Sequence, residues 1–307
     1  MKILVLGELN VDLVLSNYHA FPALGREVVV DDATLTLGSA SAICAAGLAR
    51  LGESVTYLSK TGQDAWGDLC IESLNGFGVD TSRVLRHPTV KTGITVSITS
   101  AADRALVTYL GCISELSASD IPSDVFAGFD HLHASSFFLQ QGLRPGVKGL
   151  LAQAHAAGLS TSLDPGFDPD DQWDPDLLDA LTEVDVFLPN EVELAGIAGR
   201  PDVEEALRKL KNGRTMTIAK LGSQGCAAID PSGAYRFTPG FTVEAVDTTG
   251  AGDSFNAGFL HAWLKKEPLA DAMRFACACG ALSTLGAGGT GSQASEADAI
   301  RFLQVAV

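Results

Sequence analysis

The stretch VEAVDTTGAGDSFNAGFLHAWL, residues 243–264, decides how this chain is read. Phe255, Phe259 and Trp263 recur at helical spacing, which predicts a helix from Ala251 onward. Val243–Val246 alternate as the end of a strand would, and Asp247-Thr248-Thr249 is a turn or cap signal. Gly250-Ala251-Gly252 then stands where a helix carries unpaired N–H groups and the positive end of its dipole, a natural anion site. Glycines let a ligand approach the backbone closely. Asp253 sets a fixed carboxylate beside that site. An anion hole edged by a carboxylate suits phosphoryl transfer, with Asp253 taking a proton from the acceptor. An Asp in a first helical turn also stabilises a helix without any chemistry, so the rest of the chain must decide.

The chain has 307 residues, 46% hydrophobic and 19% charged, enough for one large α/β domain or two smaller ones. Its net charge of −16 argues against nucleic acid or an anionic membrane as partner, since both need a basic face. Phosphates bound here would be met by backbone N–H groups, a metal ion and a few local cations. Six cysteines, at 44, 70, 112, 226, 277 and 279, form no CxxC pair and read as reduced thiols of a cytoplasmic protein. The apolar run Ile3–Leu6 is too short for a signal peptide, and no uninterrupted run is long enough to span a bilayer.

Apolar strands alternate with helical segments along most of the chain. Strands are expected at KILVL, SVTYLS, HLHAS, STSLD, VDVFLP and TMTIAK. Helices are expected at 39–52, 65–75, 145–157, 191–197 and 202–211. Alternation on this scale predicts an α/β fold, a doubly wound, mostly parallel sheet with helices on both faces. Residues 13–36 and 92–110 lack helices and read as antiparallel hairpins of a small projecting sheet. Loops at the C-terminal edge of such a sheet are where ligands bind.

Four further motifs fall on those loops. Asn10 and Asp12, two apart on an extended segment, point to one side and suit neighbouring hydroxyls of a polyol; a simple turn is the alternative. Gly38-Ser39 precede a helix, another place where backbone and hydroxyl could face a ligand. Asn190 and Glu193 stand three apart at a helix start, either as a cap or around a hydrated Mg²⁺. AKLGSQGCAAID, 219–230, is a strand, a glycine-punctuated turn and a second strand, shaped for a nucleotide or for a plain β-turn.

Taken in this order, the motifs resemble those of the ribokinase-like family, the PfkB carbohydrate kinases, over nearly the whole chain. DTTGAGDSFNAGF is the most specific match, to the family's second signature. The resemblance implies one kinase domain, 1–307, with residues 13–36 and 92–110 as a β lid that also makes a homodimer in many members. It implies Asp253 as catalytic base and Gly250, Ala251 and Gly252 as the anion hole. Asn190 and Glu193 would organise Mg²⁺ and the phosphates, Glu193 through water. Lys220, Gly222 and Gly225 would form the nucleotide-binding turn, with ATP as co-substrate. Asn10 and Asp12, with Gly38 and Ser39, would hold the sugar. Asp247 and Thr249 match a K⁺-binding turn, and Ser283, Gly288 and Ser292 would complete its ring of oxygens.

Two departures concern the acceptor. Where relatives carry two glycines and then an Asn, this chain has Gly38-Ser39 and Ile43, and an apolar Ile cannot bond a sugar hydroxyl. LDPGFDP, 163–169, stands where relatives carry Asp-x-Asn and then a basic residue. No cation lies near Asn10, Asp12 and the GSASAI turn; Arg104 is the exception to consider, as an anchor for an acceptor phosphate or for ATP. The acceptor is therefore expected to be an unphosphorylated sugar, or a nucleoside as the alternative. A Rossmann dehydrogenase and a Walker-type NTPase are disfavoured by missing glycine motifs. His131 and His133 at strand spacing lack a third zinc ligand. A non-catalytic sugar-binding descendant would have no use for Asp253.

Overall fold

The computed structural model describes residues 1–18, 20–99 and 104–305. In Lys2–Leu6 (β1), Ile3 and Val5 enter one core while Leu4 and Leu6 enter another. That is how a continuous apolar run behaves in a strand covered on both faces. β1 lies within a nine-stranded sheet, with two strands on one side of it and six on the other. On one side lie Ser54–Gly62 (β4) and Asp80–His87 (β5), both parallel to their neighbours. On the other lie His131–Ala134 (β8), Ser160–Leu163 (β9), Val186–Phe187 (β10) and Met216–Lys220 (β11), also parallel. Gly225–Ile229 (β12) and Tyr235–Pro239 (β13) finish that edge in antiparallel pairing.

Helices Ala40–Arg50 (α1), Ala65–Gly76 (α2), Ala251–Leu264 (α7), Leu269–Ser283 (α8) and Glu296–Val305 (α9) belong to the face that buries Ile3, Leu48, Phe259 and Met273. Helices Val147–Ala156 (α3), Asp176–Ala180 (α4), Glu191–Ala198 (α5) and Val203–Leu210 (α6) cover the opposite face with Leu151, Leu177, Leu194 and Leu207. The chain leaves β1 for β4 on one side and later for β8 on the other. The crevice beyond the carboxyl ends of β1 and β8 is thus a topological switch point, where open α/β sheets bind ligands.

The two helix-free regions build a separate four-stranded sheet from Asn10–Ser16 (β2), Asp32–Leu37 (β3), Gly93–Thr99 (β6) and Arg104–Tyr109 (β7), in the order β3-β2-β6-β7. Each hairpin is antiparallel as expected, but the two join through parallel pairing of β2 with β6. The pleat separates chemistry cleanly. Thr36, Asp12, Thr95 and Thr108 lie in one cross-strand row, and Leu35, Leu13, Val96 and Val107 lie in the adjacent row on the other face.

One expected strand end is absent. Val243–Val246 pair with no strand; Val246 is exposed and gives its N–H to Thr284 O at 2.7 Å. The backbone there is tied to the end of α8, and the side-chain alternation reflects no pleat.

Candidate active site

Helix α7 begins at Gly250, whose φ of 73° is left-handed, and no side chain caps it. The turn before it is closed from within: Ala251 N–H bonds Thr248 O at 3.2 Å, and Thr249 N–H bonds Asp247 Oδ1 at 2.9 Å. With the Ala251 N–H spent inside the turn, the next N–H groups of α7 form a donor set that a helix start normally lends to a cap or an anion. A Cβ on Gly252 would lie 3.7 Å from Lys220 Cδ and 3.8 Å from its Nζ. The ammonium of β11 is thus carried to the face of the glycine turn.

Three elements converge to hold it there. Lys220 Nζ lies 2.7 Å from Asp164 Oδ2, just beyond β9, and 3.2 Å from Asn256 Oδ1 on α7. Asn256 Nδ2 donates to the same Asp164 oxygen, and Gly166 N–H to the other at 2.9 Å. Burial alone would raise the Asp164 carboxyl, but Lys220 and these donors hold it below its usual range. Asp164 and Asn256 did not stand out in the sequence as site residues. The run after Asp164 has a structural role: Asp168 accepts the N–H groups of Asp170, Gln172 and Trp173 and knots the loop.

Asp253 is half-buried one turn before Asn256. Burial first, then the charge of Asp164, pushes its carboxyl well above the usual range, with Lys220 opposing. Glu193 is raised to about 7 for the same two reasons in the same order. It shares a capping box with Asn190: Asn190 N–H bonds Glu193 Oε2 at 2.8 Å, and Glu193 N–H bonds Asn190 Oδ1 at 2.9 Å. Asn190 also bridges to Lys220 along the strands, which puts both motifs at one edge. Gly222 and Gly225 both take positive φ, and a Cβ on Gly225 would fall 2.1 Å from Thr238 O. Glycine is needed there for the close approach of β13.

Among the described residues, no group of three or more His, Cys, Asp or Glu side chains is placed to ligate a metal directly. Carboxylates that raise one another's proton affinity, with a single paired Lys among them, do fit a cation held mainly by phosphates and water, the habit of Mg²⁺.

On the acceptor side, Asn10 Nδ2 donates to Asp12 Oδ1 at 3.0 Å and to Thr95 Oγ1 at 3.4 Å. Gly38 lies beneath them, and a Cβ there would meet Asp12 Oδ1 at 2.1 Å. Ser39, at φ 71°, spends its hydroxyl on structure: it donates to Glu8 O at 2.6 Å and accepts from Ala42 N at 3.0 Å as the cap of α1. Glu8, at the switch point, is buried against Ser41 and held above its usual range by that burial. Ile43 is also buried, against Gly250 and Gly289, where an acceptor-facing residue was expected. Arg104 begins β7, and its side chain lies outside the described residues.

The D-T-T turn is tied to the loop after α8: Asp247 Oδ2 accepts Gly288 N–H at 2.8 Å. Ser292 lies against Gly286 across that loop, while Ser283 Oγ is bonded to Gly280 O. His131 and His133 are buried and bonded to Ser160 and Ser162, with burial lowering both. All six cysteines are free and buried. No helix among the described residues is long and apolar enough to cross a membrane.

An open α/β sheet whose edge gathers an anion-ready helix start, a paired lysine and a carboxylate with raised proton affinity defines a phosphoryl-transfer enzyme. The pfkB family carbohydrate kinase model matches residues 1–296, and the chain belongs to that family. It is 31% identical over 302 residues to an ATP-dependent ribose-1-phosphate kinase of Halopiger xanaduensis, covering 98% of this chain and 97% of that one. It is 27% identical over 310 residues to a ribokinase of Haemophilus influenzae, covering 98% and 97%. An Arabidopsis thaliana ribokinase structure, complexed with ribose and ATP, superposes with a TM-score of 0.84 at 23% identity, covering 99% of this chain and 98% of that one.

Proposed function

We propose that this carbohydrate kinase moves the γ-phosphate of ATP to a hydroxyl of a neutral, unphosphorylated sugar, with Asp253 as the base. The observation that carries it is the uncapped start of α7, with Asp253 in its first turn and the Lys220 side chain beside Gly252. Phosphoryl transfer asks for alignment and charge stabilisation more than covalent help. The N–H groups after Gly250 meet the phosphoryl oxygens, and the Lys220 ammonium supports the same charge. Asp253 accepts the hydroxyl proton as the new P–O bond forms, and its raised proton affinity favours that transfer. Mg²⁺, when bound, neutralises the phosphates; Glu193, through water, and Asn190 are the residues that would hold it.

Asn10, Asp12 and the threonine row of the small sheet offer donors and acceptors for sugar hydroxyls. Asp12, Glu193 and Asp253 are carboxylates, and Lys220, paired with Asp164, is assigned to the transferred phosphoryl group. An acceptor bringing its own phosphate would meet repulsion there. The small sheet serves as the lid, and its uncovered leucine and valine row suits a second copy of the chain, with K⁺ seated at Asp247. The experiment is ADP formation from MgATP with ribose, fructose, 2-keto-3-deoxygluconate and adenosine against ribose 1-phosphate and fructose 1- and 6-phosphates. Higher kcat/KM for a neutral sugar is expected. Preference for a sugar phosphate, the acceptor class in the Halopiger relative's name, overturns the acceptor assignment.

A further inference from the structure

Ile43 sits in the first turn of α1, yet its side chain reaches the start of α7. A Cβ built on Gly250 would lie 3.0 Å from Ile43 Cγ2, and one built on Gly289 would lie 2.5 Å from Ile43 Cδ1 and 3.1 Å from Cγ1. The two glycines also face each other closely, since the same Cβ built on Gly250 would lie 2.8 Å from Gly289 Cα and O. Ile43 is therefore a wedge closed on two sides by backbone, and it is 3% exposed. Its own backbone is fixed as well. Gln293 Nε2 donates to Ile43 O at 2.8 Å and to Ser254 Oγ on α7 at 3.1 Å.

We propose that Ile43 is a positioning residue for phosphoryl transfer: it braces the left-handed Gly250 turn against the Gly289 loop and so aims the first N–H groups of α7. The physical case is one of packing. Glycine enters and leaves the left-handed region freely, so Gly250 is kept there by what packs on it, and no side-chain cap does that work here. A β-branched side chain in a helix keeps essentially one rotamer, so a wedge of Ile is stiff where a longer, unbranched one would swing. Close-packed interiors transmit small displacements instead of absorbing them, and misplacement of about 1 Å at a reacting centre can cost roughly 10²-fold in rate.

The proposal rests on Gly250–Gly252 being the phosphoryl site, and the test separates the two claims. Gly289 has ordinary φ, so Gly289→Ala adds only a methyl, which collides with Ile43 Cδ1. Ile43→Val removes that same methyl. Four proteins are compared: wild type, Gly289→Ala, Ile43→Val and the double variant. The readouts are kcat for ADP formation from MgATP with whichever of ribose or fructose turns over faster, the KM of that sugar, and the Kd of MgADP by calorimetry. Gly289→Ala is expected to lower kcat at least about tenfold, with sugar KM and MgADP Kd within about twofold of wild type. The double variant is expected to recover most of that kcat. Unchanged kcat in Gly289→Ala, an effect confined to sugar KM, or no recovery in the double variant overturns the proposal. If instead Asp253→Asn, run alongside, keeps near-normal turnover, the phosphoryl-site assignment itself has failed. Thermal melts of all variants are run with them, and a melt lowered without a kcat change marks Ile43 as a packing residue only and overturns the proposal.

Discussion

Lys220 is held by Asp164: Nζ and Oδ2 are 2.7 Å apart, with both side chains almost wholly out of solvent. Such a pair is expensive to break because it leaves one charge buried and unmatched, typically at about 3–5 kcal/mol. Lys220→Met should therefore destabilise the protein by roughly that amount in urea melts. Lys220→Met with Asp164→Asn removes both charges and should recover most of the stability while turnover stays low. A double variant that recovers turnover as well would show that the ammonium has no part in phosphoryl transfer.

The second prediction concerns pH. Asp253 and Glu193 both bind protons more tightly than free carboxyls, through burial first and Asp164 second. A base acts when deprotonated, so kcat/KM should rise with pH through an acid limb that belongs to these coupled groups together. Asp164→Asn removes a negative neighbour and frees Lys220, and both changes favour the ionised forms. The limb should move to lower pH in that variant, whatever happens to the maximal rate. A limb that stays in place, or moves up, contradicts the assigned cause.

The helix start assigned as the anion hole was legible in the sequence because its parts are contiguous: turn, glycines, carboxylate and helix stripe fall within residues 247–263. The mostly parallel sheet was legible for a similar reason, since each buried strand is a short apolar run such as Ile3–Leu6. Asp164 and Asn256 were not, because only folding brings the end of β9, the end of β11 and α7 to one point. Ile43 stood out as a departure, but the direction of its side chain depends on Gly289, far along the chain. Ser39 shows the same limit: its hydroxyl caps α1, as a Ser before a helix suggests, but its bond to Glu8 O leaves no local pattern. The alternation at Val243–Val246 misled because periodicity reports facing, not which backbone is nearby to pair with.

The third prediction concerns monovalent cations. Asp247 joins the D-T-T turn to Gly288, so a cation seated there would stiffen the base of the anion hole. Activity should be higher in KCl than in NaCl or choline chloride at constant ionic strength. Asp247→Ala should erase the difference. Equal rates of the wild type in all three salts count against the site.

The most direct measurement is of Asp253→Asn, which keeps shape and removes proton acceptance. Turnover, followed as ADP formation with the best neutral sugar, should fall at least about 10²-fold, the low end for loss of a general base. MgADP affinity by calorimetry should be retained, because the backbone of α7 and not the carboxylate is assigned to meet phosphate. Near-wild-type turnover in Asp253→Asn would contradict the account, since no other residue has been given the acceptor's proton.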